Sequence, residues 1–276
     1  MDPRLPPELE RLILELVALS HPVSIPNLLL VASRVRAWVQ PLVHRTVVVT
    51  RDRRVSPVDG LRSYRPEVFF QIAELQRPSL DSVRNLMLVE IDDELASILS
   101  ACPHVQNLYF IWPGDDSPSD ASYAALSALP LLHFYCHSRY VIHAKPFSQP
   151  FLTNISHLEL FDAPQEEDWP KLAQLPQLTH LGTGAHAIRF CAFALEKCKT
   201  LRVLVITSSA PNPERDYSTV AKDWRFVMMQ LSYFIDDWQR GALHGHDYWA
   251  RAEDFMAKRR AGHPAPDPDH PFHLVC

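Results

Sequence analysis

The sequence predicts an α/β chain: a three-helix module at the amino end, then an irregular solenoid of parallel strands with helical returns, and a closing amphipathic helix. Three observations predict it. Apolar residues recur at helical spacing from Leu5 to Trp38, a strand-like template repeats from Val83 onward, and the stretch from Asp247 to Arg260 reads as a polar-backed helix. The expected divisions are a helical module over 1–42, the array with its capping helix over 43–262, and a flexible tail over 263–276.

The module opens Leu5-Pro6-Pro7-Glu8-Leu9, where the prolines lead into a helix without extending it. Leu9, Leu12, Ile13, Leu16 and Val17 then form one stripe, while Leu14 and Leu19 fall outside it. This is more apolar surface than the module needs for itself, so part of it faces either the rest of the chain or a partner. Ser24 is expected to cap a second helix, with Pro26 in its first turn. That helix would carry Leu28, Val31, Val35 and Trp38 on one face and end before Pro41.

The β-branched run from Thr46 to Val49 reads as a strand. Arg51, Arg53 and Arg54 read as a solvated link, and Pro66 opens a helix through Val68, Phe69, Ile72 and Leu75. A template with apolar residues at offsets 1, 4 and 6 then fits Val83-Leu86-Leu88, Val105-Leu108-Phe110, Leu132-Tyr135-His137 and Ile155-Leu158-Leu160. It fits again at Leu178-Leu181-Thr183, Leu201-Leu204-Ile206 and Trp224-Val227-Met229, and upstream at Val43-Thr46-Val48. From Leu86 the middle positions advance by 22, 27, 23, 23, 23 and 23 residues. A short strand with a returning helix or turn accounts for such a period, because no single repeat buries its own face. Helical returns are expected after Asp92 or Asp93, after Ser119, and from Ala187 to Cys198.

If the template positions point inward, their neighbours point to the opposite, open face of the sheet. That face would present Asn85, Met87, Asn107, Tyr109, Phe134, His157, Glu159 and His180, a mixed surface suited to binding protein. After Met229 one last helix is expected, capped by Asp247, with Tyr248, Ala252, Phe255 and Met256 as its apolar stripe. Lys258, Arg259 and Arg260 suit its C-terminal dipole, and Gly262 and Pro264 stop it.

Charge totals of 27 basic and 32 acidic residues leave a net −5, which makes no case for nucleic acid. The five cysteines are odd in number and scattered, so reduced thiols and a cytoplasmic or nuclear location are expected. No signal peptide or membrane-length apolar run is read. Zincin, nucleophile-elbow and P-loop signatures are missing, and Gly182-Thr183-Gly184 lacks the third glycine of a dinucleotide fingerprint. His133 and His137 share one side of a strand while Cys136 points to the other, which disfavours a zinc sphere. Asp115, Asp116 and Asp120 lack the glutamate of a calcium hand, since Leu126 stands there. The expectation is a non-enzyme without metal or cofactor.

Leu5-Pro6-x-Glu8-Leu9, followed by an apolar helix, Val31-x-x-Arg34-x-x-x-Trp38 and Pro41-Leu42, resembles an F-box. It is most similar to the F-box-like domains of fungal proteins that pair this module with degenerate leucine-rich repeats. The link from Ser20 to Ile25 lacks the usual Asp-Leu, and His44 stands where a tryptophan is common. The downstream array likewise resembles leucine-rich repeats, with Ile91, Pro113, Tyr140, Ala163 and His186 where an asparagine is usual, so a flatter, less even arc is expected. The resemblance implies a substrate receptor of a Skp-cullin-F-box ubiquitin ligase. Leu5, Pro6, Leu9, Ile13, Val31 and Trp38 would belong to the docking module for the Skp-type adaptor, which brings a cullin, and the repeat face would hold a target protein. The alternative is a repeat-based interaction scaffold with no ligase role.

Overall fold

The computed structural model describes residues 5–58, 61–75, 77–111, 119–142, 150–184, 187–208, 216–263 and 273–275. Its amino end folds as α1 (Pro7–Ser20), α2 (Ile25–Leu28) and α3 (Ser33–Val39), with a 3-10 turn at Pro22–Ser24 leading into α2 and a turn at residues 29–31 linking α2 to α3. Pro7 occupies the first turn of α1, where a missing N–H costs nothing. The second helix is broken rather than continuous. Ser24 supplies no side-chain cap, and Leu30 and Val31 lie in the turn between α2 and α3. Ala18, Ile25, Val35 and Val39 form the module's small core, with Leu14, Leu28, Trp38 and Leu42 packed around it.

The body is one ten-stranded sheet, with every described pairing parallel. Its strands are β1 (Thr46–Thr50), β2 (Arg62–Tyr64), β3 (Asn85–Val89), β4 (Asn107–Ile111), β5 (His133–Cys136) and β6 (His157–Leu160). They continue as β7 (His180–Gly184), β8 (Val203–Ser208), β9 (Phe226–Gln230) and β10 (His273–Val275). Sequential neighbours pair from β3 to β10, while β1 lies between β2, at the edge, and β3. The connections carry α4 (Pro66–Leu75), α5 (Arg77–Leu80), α6 (Leu95–Ala101), α7 (Asp120–Ser127) and α8 (Arg139–Ile142). Then come α9 (Pro150–Asn154), α10 (Trp169–Leu172), α11 (Ile188–Lys197) and α12 (Ser218–Ala221). Ser119 caps α7 through the Ser122 N–H, whereas α6 starts after Glu94 without a side-chain cap. β10 falls in the expected flexible tail, so that stretch pairs with β9 at 273–275.

Both faces of the sheet are covered. On one, the connecting helices bury Val47, Leu86, Leu108, Phe134, Leu158, Leu181, Leu204 and Phe226. On the other lie α13 (Phe234–His244) and α14 (Tyr248–Arg260), packed on Val48, Met87, Tyr109, Tyr135, Val205 and Val227. The closing helix is therefore a layer, not an end cap. The expected open face of a solenoid is absent from the described residues, and the body has three layers, helix on sheet on helix.

The register differs from the template in three strands. Partners of Leu86 are Val47 and Leu108, partners of Leu158 are Phe134 and Leu181, and Leu204 faces Phe226. The positions one earlier than Tyr135 and Val227, and one later than Thr46, therefore face the connecting helices. The true steps from Leu86 are 22, 26, 24, 23, 23 and 22 residues. Strands buried on both sides read as continuous apolar runs, and a one-residue slip exchanges their faces without breaking the hydrophobic pattern.

α13 and α14 meet at a tight corner. Gly245 ends α13 in the left-handed region (φ 74°), and a Cβ on Gly241 would stand 2.4 Å from that of Asp247. Asp237 accepts from the Tyr248 backbone N–H (2.9 Å) and from Arg251, and Asp247 caps α14 through the Ala250 N–H. At the far end Arg259 donates to the Phe226 carbonyl and Arg260 stacks on Trp224 at 3.9 Å.

Candidate functional site

The module turns its strongest apolar stripe outward. The inner side of α1 carries Leu14 and Ala18 into the module's own core, and α1 rests on α13. Leu5, Leu9, Leu12, Ile13, Leu16 and Leu19 stay exposed, as do Val23, Leu30 and Val31. Leu12 keeps 62% of its surface, Leu16 61%, Val31 65% and Leu30 77%. Of the six residues expected to belong to the docking module, Leu5, Pro6, Leu9, Ile13 and Val31 are exposed, while Trp38 braces the core. Arg34 holds Glu10 at 2.7 Å, tying α3 to α1 so that the stripe sits on a fixed mount.

The residues expected on an open sheet face have other duties. Met87, Tyr109, Glu159 and His180 are buried beneath α13 and α14, and Phe134 lies on the opposite face among the connecting helices. The polar ones are consumed by the covering helices. Asn85 donates to Thr46 Oγ1 (2.9 Å) and to the Ala242 carbonyl (3.2 Å), and Trp238 Nε1 donates to Asn107 Oδ1 (2.9 Å). Tyr248 donates to Glu159 Oε2 (2.9 Å), and Trp249 donates to the Tyr135 hydroxyl (2.9 Å). A polar column that looked free for a partner is the seat of this chain's own carboxyl-terminal layer.

Asn85, Asn107 and His157 are half-buried and reach a cleft of about 710 Å³ at the amino ends of the strands. The cleft runs between the module (Leu19, Val23, Pro26), the sheet (Arg45, Gln106, His133) and α14 (Trp249, Glu253). Within it the parallel register stacks three imidazoles, His133 on His157 at 4.0 Å and His157 on His180 at 3.9 Å. Trp249 meets the last two edge-on, and His180 Nε2 lies 3.0 Å from Glu253. Burial, then the neighbouring imidazoles, lowers His133 to about 4 and His157 to about 2; burial also lowers His180, against Glu253. The stack is neutral at neutral pH and acts as packing.

Among the described residues no group of three or more His, Cys, Asp or Glu is placed to hold a metal. Asp115 and Asp116 lie outside those residues. The described cysteines, Cys102, Cys136, Cys191 and Cys198, are buried and unbridged, with burial raising their thiols, Cys198 to about 11. No described helix is long and apolar enough to cross a membrane. Comparison with protein-family models and with curated proteins returns no match for this chain.

Two features escaped sequence reasoning. α13 is one, although Phe234, Ile235, Trp238, Ala242 and Leu243 share its covered side and Asp236 and Asp237 suit its first turn. The covering role of α14 had one legible signal, Gly182 amid larger strand residues, where a Cβ would strike Tyr248 and Trp249.

Proposed function

We propose that this chain is a non-catalytic substrate receptor of a Skp-cullin-F-box ubiquitin ligase, docking the adaptor through its amino-terminal helices and a target protein through its body. The observation that carries the reading is the free stripe of α1. Leu9, Leu12, Ile13 and Leu16 form a helical face that keeps 47–62% of its surface exposed, and Leu5, Leu30 and Val31 are exposed on the same module. An exposed apolar surface of this extent marks an interaction site. The pattern Leu5-Pro6-x-Glu8-Leu9 with Arg34 and Trp38 names the F-box as the module that uses such a face. Leu14, Ala18 and Trp38 fasten the module to itself, and α13 fastens it to the body, so the adaptor and the target are held at a set separation. Transfer of ubiquitin by other subunits then proceeds by proximity.

The covered sheet face redirects the target-binding half of the proposal. In this reading the target segment enters the cleft at the amino ends of the strands, where Arg45, Asn85, Gln106, Asn107, His157 and Glu253 supply mixed polar chemistry beside the module. Co-expression with a Skp-type adaptor tests the reading. It predicts a stable complex of the two chains; a monodisperse protein that never copurifies with the adaptor overturns it.

A further inference from the structure

The opposite edge of the sheet holds a second concavity, separate from the docking surface and from the cleft. It has a volume of about 630 Å³ and opens at the carboxyl ends of β4, β6, β7 and β8, lined there by Ile111, Phe161, Gly184 and Ser208. In open parallel sheets this is the edge at which ligands bind. Its roof is the first turn of α13, with Phe234 and Ile235, and Val55 closes one side. Most of the wall is apolar or aromatic.

Polar groups interrupt that wall, among them Glu159, Thr207 and Tyr109. Glu159, 3% exposed, accepts from Tyr248 at 2.9 Å, but its other oxygen has only a 3.5 Å contact from Thr207 Oγ1. Tyr109 is also 3% exposed, its ring held by Phe161 at 5.2 Å and Trp238 at 5.8 Å. The Tyr109 hydroxyl makes no hydrogen bond to a described residue, although it lines the cavity. A buried carboxyl with one poorly satisfied oxygen is costly unless something else completes its set. Asp236 adds negative charge at the mouth, and the nearby Arg54 guanidinium is already held by Asp52 at 2.9 Å.

We propose that this cavity binds a primary ammonium group on an unbranched apolar stem, with Glu159 as its counter-ion. An ammonium carries three donors and no acceptor, so it can satisfy Glu159 Oε1 and Thr207 Oγ1, which stand 3.5 Å apart, while the stem lies along Ile111, Phe161, Phe234 and Ile235. Aromatic rings around the head group favour a cation further. An anion meets Glu159 and Asp236, and a neutral hydrocarbon leaves the second oxygen of the carboxyl poorly satisfied. Burial holds Glu159 near 7, so a bound cation also draws the carboxyl into its ionised form.

Isothermal titration calorimetry of the full chain with n-pentylamine, 1-pentanol and pentanoate tests this. The expected result is one amine per chain, with pentanol and pentanoate weaker by about tenfold or more. Glu159→Gln lowers amine affinity by about tenfold or more. Equal binding of pentanol, amine binding unchanged in Glu159→Gln, or no binding by a folded wild-type chain would each overturn the proposal.

Discussion

Replacing Gly182 by alanine probes the layer that α13 and α14 form over the sheet. A Cβ built on Gly182 stands 2.8 Å from the Tyr248 hydroxyl and 2.9 Å from Trp249 Cη2. Both partners are buried rings that hydrogen-bond elsewhere, Tyr248 to Glu159 and Trp249 to Tyr135, so neither swings aside freely. Overpacking of this kind costs about 1–3 kcal/mol. Scaling the unfolding entropy to a chain of this length, that lowers the melting temperature by roughly 2–5 °C. Gly184 is the control: its Cβ meets nothing nearer than 3.9 Å, so Gly184→Ala should leave stability unchanged or raise it by about 0.4–1 kcal/mol. Calorimetry of the two variants beside the wild type makes the comparison. If both tolerate alanine equally, α14 does not lie against β7.

Glu159→Gln should stabilise the chain at alkaline but not acidic pH. Its folded-state value, raised by burial from 4.5 to about 7, means the wild type loses stability as pH rises between those values, by about 3 kcal/mol in all. Urea midpoints at pH 4.5 and 8.5 read the difference, and a variant gain equal at both would refute burial as the cause. The histidine stack has the opposite sign. His133 and His157 are depressed below the unfolded value of 6.5, so their contribution is intact above that pH and falls towards about 4, on the order of 1 kcal/mol per pH unit for each. Replacing His157 by phenylalanine should flatten the acid limb of the stability curve, and an unchanged slope would count against the stack. On the module, Leu12→Ala should alter the melting temperature little, whereas Ile25→Ala in the small core should cost about 2–3 kcal/mol; equal losses would mean the stripe is core.

Much of the architecture was legible because its signals are local. The 23-residue period located β3, β4, β6, β7 and β8 with their faces, and the cap residues Ser119 and Asp247 marked true helix starts. β1, β5 and β9 were located, but their faces were exchanged. Phe134-Tyr135 and Phe226-Val227 are apolar at both positions, and only the ladder decides which one meets the connecting helices. Their double-sided greasiness was itself the mark of a sheet covered on both faces, and an open solenoid face was the wrong expectation. The exposed stripe was legible as surplus, since Leu9, Leu12, Ile13 and Leu16 exceed what a module with a core of Ala18, Ile25, Val35 and Val39 can bury. Neither concavity was legible, because each gathers residues from strands and helices far apart in sequence.

The central claim is that the outward face of α1 serves a partner and not the fold. Its most direct test is the double substitution Leu9→Asp plus Ile13→Asp, read by size-exclusion chromatography with a purified Skp-type adaptor and by melting temperature on the same preparation. The account predicts that the adaptor complex is lost while the melting temperature stays within about 2 °C of the wild type, as for exposed sites. A complex that survives both aspartates, or a variant that unfolds on its own, would contradict it.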